Sequence, residues 1–258
     1  MAEPARKLPD PWDAETEDGL IVPLLHRWVQ GPDGRFELLV RPATREDILY
    51  PQLEDKILQG EPHAVTRGEL ASLLRRRFQP ESLVLEDVCI RDLGPGLPAP
   101  SPDITIVLKA TPGDRSSFSV AEEGVRPDLI IEIVSPSTAE IRKTDEEDKV
   151  RVYSQAGIPE YVLLYLPRPQ RGGPIRPLGY RFDSQGQYCP IELDEQGRIF
   201  SETTRLWFAP GERIQVIDDR TGQRILYADE EEAQRKAAEA ENARLREELE
   251  RLKRKLES

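Results

Sequence analysis

Two acidic residues and a lysine have the residue types and the spacing of a hydrolytic site. Glu132 lies inside an apolar, β-branched run at residues 129–134, which is typical of a buried strand. Asp103 opens a second apolar run at residues 104–108, and Lys149 follows in a segment of helical spacing. A carboxylate inside an apolar strand is costly unless it is paired, hydrogen-bonded or bound to a metal ion. Two acids on neighbouring strands with a lysine nearby are the usual components of a magnesium-dependent phosphodiesterase.

Phosphodiester cleavage needs a nucleophilic water, stabilisation of the charge on the phosphate and relief of the charge on the leaving group, all of which Mg²⁺ or Mn²⁺ can serve. Magnesium prefers hard oxygen ligands and keeps several waters, so two carboxylates and one backbone carbonyl suffice. We therefore expect Asp103 and Glu132 to hold the ion if their strands are neighbours, with the backbone carbonyl of Ile133 as a third ligand. Lys149 would orient or deprotonate the attacking water.

The same residues also fit structural roles, which the sequence leaves open. Asp103 fits a turn at the start of a strand, and Tyr153 fits a core aromatic. Lys149 and Asp145 are four residues apart, which on a helix places them on one face and also fits an ordinary ion pair. His63 fits a polar residue at a helix start. Since His26 is the only other histidine, the sequence offers few residues for histidine catalysis or for a zinc site.

The central motif resembles a known family. Asp103 and Glu132, with 28 residues between them, resemble the PD-(D/E)XK nuclease pattern, and residues 127–138 are similar to the signature of the Uma2 family, also called DUF820. The likeness continues through a helix carrying Asp145, Lys149 and Tyr153, and through a turn, Gly-Ile-Pro-Glu-Tyr, that leads into a strand. His63 and the helix after it also resemble the family. The resemblance covers about residues 44–227 and implies a restriction-endonuclease-like fold, a divalent metal and a DNA substrate.

Three positions qualify this resemblance. The three-residue nuclease motif would place lysine at position 134, where this chain has Val134, and the resemblance implies that Lys149 substitutes for it. The strand after the helix commonly ends in Asp in the family, where this chain has Tyr165. Asp128 precedes the strand of Glu132 and is favoured for a turn or capping role.

The order of the elements predicts an α/β (α+β) fold with a mixed sheet flanked by helices. The predicted elements are a hairpin at residues 21–40, a helix at 62–78, strands at 82–91, 103–109 and 128–134, a loop at 111–126, a helix at 139–156 that ends at Gly157, a strand at 158–166, a C-terminal β-meander at 175–227 and a long helix from residue 229. We expect three regions: a 1–43 extension with a proline- and acid-rich start and a hairpin, a 44–227 nuclease-fold domain and a 228–258 helix.

Composition and charge limit the cellular locations and the partners that we expect for the chain. The net charge is −12, so composition gives no argument for DNA binding, although a local basic groove would be sufficient. The N-terminus has no apolar segment of the kind a signal peptide needs, and no run approaches the length of a membrane span. Cys89 and Cys189 predict two reduced thiols rather than a disulfide framework. We expect a cytoplasmic location and no membrane association.

The C-terminal helix predicts self-association. Leu245, Leu249, Leu252 and Leu256 have the spacing of a short coiled-coil seam, and an isolated helix of this kind is marginal in water. We therefore expect a homo-oligomer, with a dimer as the simplest form. Two functions remain open: a metal-dependent endonuclease, and a catalytically inactive nuclease fold that acts as a binding or adaptor protein through this helix.

Overall fold

A computed structural model describes residue 20 and residues 22–51, 55–110, 112–168 and 171–256. The chain divides into two compact units, Met1–Arg224 and Ile225–Ser258. The predicted proline- and acid-rich start lies outside the described residues, apart from residue 20. In chain order the elements are β1 (Leu24–Gln30), β2 (Phe36–Pro42), α1 (Arg45–Leu49), β3 (Lys56–Leu58), α2 (Glu61–Phe78), β4 (Leu83–Glu86), β5 (Cys89–Arg91), β6 (Ile104–Val107), β7 (Ser117–Ser119), α3 (Val120–Glu123), β8 (Leu129–Val134), α4 (Ala139–Lys143), a π turn (Thr144–Asp148), α5 (Lys149–Gln155), β9 (Glu160–Tyr165), β10 (Arg176–Phe182), β11 (Tyr188–Pro190), β12 (Ile199–Ser201), β13 (Leu206–Ala209), β14 (Gln215–Asp218), β15 (Gln223–Ile225) and α6 (Ala228–Leu256).

A six-stranded mixed sheet forms the centre of the first unit, with strand order β11-β10-β9-β8-β6-β4. Strands β8 and β9 pair in parallel, and the other neighbours in this sheet pair antiparallel. The parallel pair needs a crossover connection, which α4, the π turn and α5 supply. Every residue of β8 and β9 is buried, as expected for strands covered on both faces.

The central sheet and α5 pack together through a shared apolar core. Alternate residues of β8 face α5, so Ile130 and Val134 pack with Tyr153 of the helix in one apolar cluster. The helix ends where predicted, because Gly157 has φ +69°, a left-handed conformation that favours glycine at a helix C-terminus. The α/β fold with a mixed sheet, flanking helices and a long C-terminal helix is confirmed.

The predictions in the first half of the chain were partly wrong. The single strand at 82–91 is divided into β4 and β5, because Asp87 takes φ +53° and turns the chain. The predicted loop at 111–126 contains β7 and α3, and β7 pairs in parallel with β5. Strand β3 was not predicted.

The other differences lie around α5 and in the second half of the chain. The single helix at 139–156 is interrupted by the π turn. In the predicted meander, β10 and β11 extend the central sheet, whereas β12 to β15 form a separate four-stranded sheet.

The hairpin and the C-terminal helix agree with prediction. Strands β1 and β2 pair antiparallel around the turn at residues 31–35, and β3 completes a three-stranded sheet. Helix α6 has 29 residues, and three of the four seam leucines, Leu245, Leu249 and Leu252, are exposed. The fourth, Leu256, lies outside the described side chains. In the described part of the chain, no helix combines the length and hydropathy that crossing a membrane requires.

Candidate active site

Asp103 and Glu132 lie opposite each other on neighbouring strands. Strand β6 pairs antiparallel with β8 so that Ile104 is opposite Ile131. Continuing this register by one residue places Asp103 opposite Glu132. Directly opposed residues in an antiparallel pair project to the same face, with Cβ atoms about 4.5–5.5 Å apart. The structure therefore brings the two predicted carboxylates to one face of the sheet.

Asp103 is held by groups from β8 and α2. Its Oδ2 atom accepts a hydrogen bond of 2.7 Å from the backbone N–H of Ile133 and lies 3.1 Å from Nε2 of His63. Its Oδ1 atom lies 3.6 Å from Nη1 of Arg67. Burial raises the pKa of Asp103, but His63, the Ile133 amide and Lys149 outweigh burial and hold this pKa below its usual range. Asp103 is therefore a carboxylate at neutral pH.

Glu132 is a buried acid with two donors on one oxygen. Lys149 Nζ lies 2.8 Å from Glu132 Oε1, and the hydroxyl of Tyr153 donates to the same oxygen at 3.2 Å. The Glu132 side chain is only 5% exposed. Burial raises the pKa of Glu132 to about 8, against the opposing charge of Lys149 and with further raising by Asp103 and Asp145. Burial also raises the pKa of Tyr153 well above its usual value, so its phenol remains a donor.

Lys149 connects two acids from different elements. Its Nζ atom lies 2.8 Å from Asp145 Oδ1 as well as 2.8 Å from Glu132 Oε1. Burial lowers the pKa of Lys149, but the two carboxylates outweigh burial, and the net pKa is raised. Lys149 therefore carries a positive charge at neutral pH. A charged ammonium can donate hydrogen bonds and stabilise negative charge, but it cannot accept a proton from water.

The π turn determines where Asp145 and Lys149 lie. The hydroxyl of Tyr161 on β9 donates to the backbone carbonyl of Asp145 at 3.1 Å, and the hydroxyl of Tyr165 donates to Glu146 at 3.2 Å. Asp145 lies within the turn, and Lys149 is the first residue of α5. The turn is therefore anchored to the sheet by two tyrosines, at the point where the helix reaches Glu132. π turns of this kind are frequent at functional sites.

One residue of the cluster, Arg67 of α2, was not predicted for it. Arg67 lies four residues after His63, and both contact Asp103. It also contacts Glu86 and Asp87, at 3.4 and 3.3 Å. The spacing of His63 and Arg67 was the available signal, because residues four apart on a helix share a face.

Two other acids near these strands have structural contacts. Asp128 Oδ2 accepts a hydrogen bond of 2.7 Å from the backbone N–H of Leu108, which agrees with the structural role expected for it. Glu160, a buried acid at the start of β9, accepts hydrogen bonds from Thr203 Oγ1 at 2.6 Å and from the backbone N–H of Glu202 at 2.8 Å. Glu160 also bonds to the hydroxyl of Ser201 and so connects β9 to the turn after β12.

The donor set fits a hard divalent ion that keeps part of its water shell. Among the described residues, no group of three or more His, Cys, Asp or Glu side chains has an arrangement that could hold a metal. The hydrogen bonds described to the two carboxylates fall on Asp103 Oδ2 and Glu132 Oε1. Glu132 Oε2 accepts no described hydrogen bond, and Asp103 Oδ1 has only the 3.6 Å contact with Arg67 Nη1, so these are the two hard oxygens that would bind Mg²⁺ or Mn²⁺. It is the N–H of Ile133, rather than its carbonyl, that contacts Asp103.

Comparison with known proteins gives a family match. The sequence profile of the Uma2 family, described as "Putative restriction endonuclease", matches residues 22–209, well over half of the chain. A solved structure, described as "a putative nuclease belonging to DUF820 from Anabaena variabilis ATCC 29413", has 18% sequence identity and a TM-score of 0.36, and the similarity covers 55% of this chain and 74% of that chain. No curated protein matches the chain.

Proposed function

Because this chain belongs to the Uma2 family, we propose that it is a metal-dependent endonuclease that hydrolyses phosphodiester bonds in DNA. The observation that carries the proposal is the pairing of Asp103 with Glu132 across β6 and β8, with Lys149 bonded to Glu132. A structural ion pair alone would not need a second buried carboxylate opposite the first.

Asp103, Glu132 and Lys149 have roles that their contacts support. Asp103 and Glu132 would hold the ion, and the backbone carbonyl of Ile133 would be a third ligand. When bound, the ion lowers the pKa of water and neutralises charge on the phosphate. Lys149, which retains its proton, orients the water and stabilises the developing negative charge. Of the two roles that the sequence left open for Lys149, orientation is the one that its pKa supports.

Three further residues support these groups. The Tyr153 hydroxyl fixes the orientation of Glu132, and His63 lies against Asp103. Asp145 is the second carboxylate on the Lys149 ammonium, at 2.8 Å. A carboxylate or an ammonium positioned by neighbours in this way loses less freedom on reaching the productive geometry.

The proposal is tested by cleavage and by metal binding in parallel. Wild-type protein should cleave plasmid or linear duplex DNA with Mg²⁺ or Mn²⁺ and not with EDTA, with single-stranded DNA and RNA as comparison substrates. Glu132→Gln should lose both metal binding, measured by calorimetry, and cleavage. Lys149→Ala should bind metal and lose about 10²–10³-fold in cleavage rate, the usual effect of removing one charge-stabilising donor.

Glu160→Gln is the matched control, because it neutralises another buried glutamate of the same sheet, whose hydrogen bonds go to the turn after β12. It should retain metal binding and cleavage even if the protein is less stable. If wild type cleaves no substrate and binds neither ion, the enzyme proposal is wrong. The alternative of a catalytically inactive binding protein would then be the one to pursue.

The partner proposal concerns α6. Leu245, Leu249 and Leu252 are 51%, 53% and 54% exposed, and their spacing of four and three residues is that of a coiled-coil seam. We propose that this seam associates with the same seam of a second copy.

A further inference from the structure

Strand β2 is an exposed edge of the N-terminal sheet. The strand order is β2-β1-β3, so β1 pairs with one side of β2 and no described strand pairs with the other side. Large apolar side chains are exposed on both faces of β2: Phe36 is 65% exposed, Leu38 44%, Leu39 38% and Val40 49%. An apolar edge with unpaired backbone groups is a template for another strand.

The open edge offers the backbone groups of every second residue. Backbone hydrogen bonds run from Gly31 to Arg35 and from Ala43 to Pro23, both at 2.8 Å, and they mark hydrogen-bonded pairs at the two ends of the hairpin. Such pairs recur at every second residue of an antiparallel ladder. The odd-numbered residues of β2 therefore direct their backbone groups toward β1. The even-numbered residues Phe36, Leu38 and Val40 direct theirs toward the open edge.

We propose that β2 pairs antiparallel with β2 of a second copy of this chain, with Leu39 at the twofold axis. In this register Leu38 is opposite Val40 of the second copy, and these two exchange backbone hydrogen bonds on each side of the axis. Leu39 faces its own counterpart in a non-hydrogen-bonded pair. The two three-stranded sheets join into one of six strands, a more stable unit than either sheet alone.

Charge selects this register and identifies a second copy as the partner. With Leu39 at the axis, Glu37 of each copy is opposite Arg41 of the other, and opposite charges directly across a strand pair are stabilising. Moving the axis to Leu38 would place Arg35 opposite Arg41 and would lose both attractive pairs. Sliding one strand along the other by a single residue would place even-numbered residues opposite odd-numbered ones. The N–H and C=O groups of the two open edges would then not align for hydrogen bonding. One strand thus supplies both halves of a self-complementary contact, as a twofold interface requires.

The neighbouring side chains agree with this pairing. Trp28 of β1 is opposite Leu38 and is 56% exposed, so the apolar surface of one copy would continue across the axis into that of the other. Asp47 binds Arg41 through both carboxylate oxygens, at 2.6 and 2.8 Å, so Glu37 of the second copy would be the second carboxylate at that guanidinium. Pro42, which has no N–H, limits the ladder to the residues before it.

Cross-linking tests the register directly. In full-length protein with the free thiols Cys89 and Cys189 replaced by Ser, Leu39→Cys should give a disulfide-linked dimer under mild oxidation. Residues of a non-hydrogen-bonded pair have Cα atoms about 4.5 Å apart, within the range that a disulfide spans. The control is Asp33→Cys, an exposed position in the turn of the same hairpin. Equal rates of cross-linking at the two positions would overturn the proposal.

A charge experiment separates this contact from association through α6. Leu39→Lys and Leu39→Glu each place like charges at the axis. In protein whose α6 seam is removed by Leu249→Ser and Leu252→Ser, each variant alone should therefore halve the particle mass that is measured by sedimentation with Leu39 retained. An equimolar mixture should recover that mass, because Lys then faces Glu. If neither variant changes the mass, or if the mixture does not recover it, the edge is not paired with a second copy. Another segment of the chain or a strand from a different protein would give that negative result.

Discussion

At the scale of single residues, the contact of Lys149 with Glu132 and Asp145 should be the largest electrostatic contribution to stability in the site. Lys149→Met would leave two acids without their cation, and breaking a buried pair typically costs about 3–5 kcal/mol. We expect a loss of this order at pH 8 and a smaller loss near pH 6, because Glu132 can take up a proton at the lower pH. Urea unfolding at the two pH values, with EDTA present, measures both losses.

The chain offers a matched control for this substitution. Lys236 and Glu232 on α6 are also four residues apart and lie 2.6 Å from each other, but both are largely exposed. Lys236→Met should therefore change the free energy of unfolding by no more than about 0.5 kcal/mol at either pH. An equal cost for the two substitutions would mean that Lys149 is solvated in the native protein.

The raised pKa of Glu132 predicts that metal affinity increases with pH. The ordinary value of 4.5 is raised to about 8 by burial, so the apo protein holds a proton that a metal ion must displace. The apparent affinity for Mn²⁺ should rise by up to about tenfold per pH unit below pH 8 and level off above it. Without metal, pH has the opposite effect on the protein. The free energy of unfolding falls as pH rises from 4.5 to about 8, because Glu132 ionises less readily in the folded chain than in the unfolded chain.

Calorimetry in two buffers of different ionisation enthalpy measures this proton directly. About one proton should be released per Mn²⁺ at pH 6 to 7, and the number should fall toward zero above pH 8. A pH-independent affinity with no proton release would show that Glu132 is already ionised in the apo protein or is not a ligand.

At the scale of secondary-structure elements, the π turn is the feature that links the sheet to Lys149. Tyr161→Phe removes the hydroxyl that donates to the Asp145 carbonyl, and the loss of one such hydrogen bond costs about 0.5–1.5 kcal/mol. The π turn should then open more often, so the amides of residues 144–149 should exchange hydrogen faster. The cleavage rate should fall with little change in metal affinity, because the Asp103 and Glu132 contacts are retained.

Tyr165→Phe is the comparison, since it removes a hydroxyl of the same strand that bonds to the side chain of Glu146 rather than to the backbone. It should change exchange in the turn less than Tyr161→Phe does. If both variants exchange as wild type does, the tyrosines fill the core and do not hold the turn.

The strands of the candidate site could be predicted from sequence, but the π turn and the contacts of α2 could not. Buried strands with an acid inside are rare enough that residues 103–108 and 129–134 indicate both the strands and the candidate ligands. Helical spacing at 139–156 is the same whether or not one turn is widened, so the interruption left no signal. Arg67 meets Asp103 only because of the way α2 packs, which its own sequence does not specify. Likewise, the alternation of apolar and polar residues in β10 is equally compatible with a place in the central sheet and with a place in a separate sheet.

At the scale of the whole molecule, the charge of −12 restricts how DNA could be engaged. A chain with this charge repels a polyanion at long range, so productive contact must come from local cations and from the metal ion. Arg67 and Lys149 are each already paired with two or more acids, so without the metal ion they give the site no surplus of positive charge. DNA binding should therefore depend on the divalent ion more strongly than it does in a basic nuclease.

Helix α6 provides the whole-molecule prediction about assembly. It has 29 residues with no buried apolar face at Leu245, Leu249 and Leu252, and an unpartnered helix of polar composition is only partly formed in water. If the leucine seam associates with a second copy, the helical circular-dichroism signal at low temperature should increase with protein concentration. Substituting Leu249→Ser and Leu252→Ser should remove this dependence. The control Ala233→Ser with Ala240→Ser lowers helix propensity at least as much on the face away from the seam, and it should retain the dependence. A signal that is independent of concentration in wild type would show that α6 is stable without a second copy, and β2 would then be the remaining site proposed for self-association.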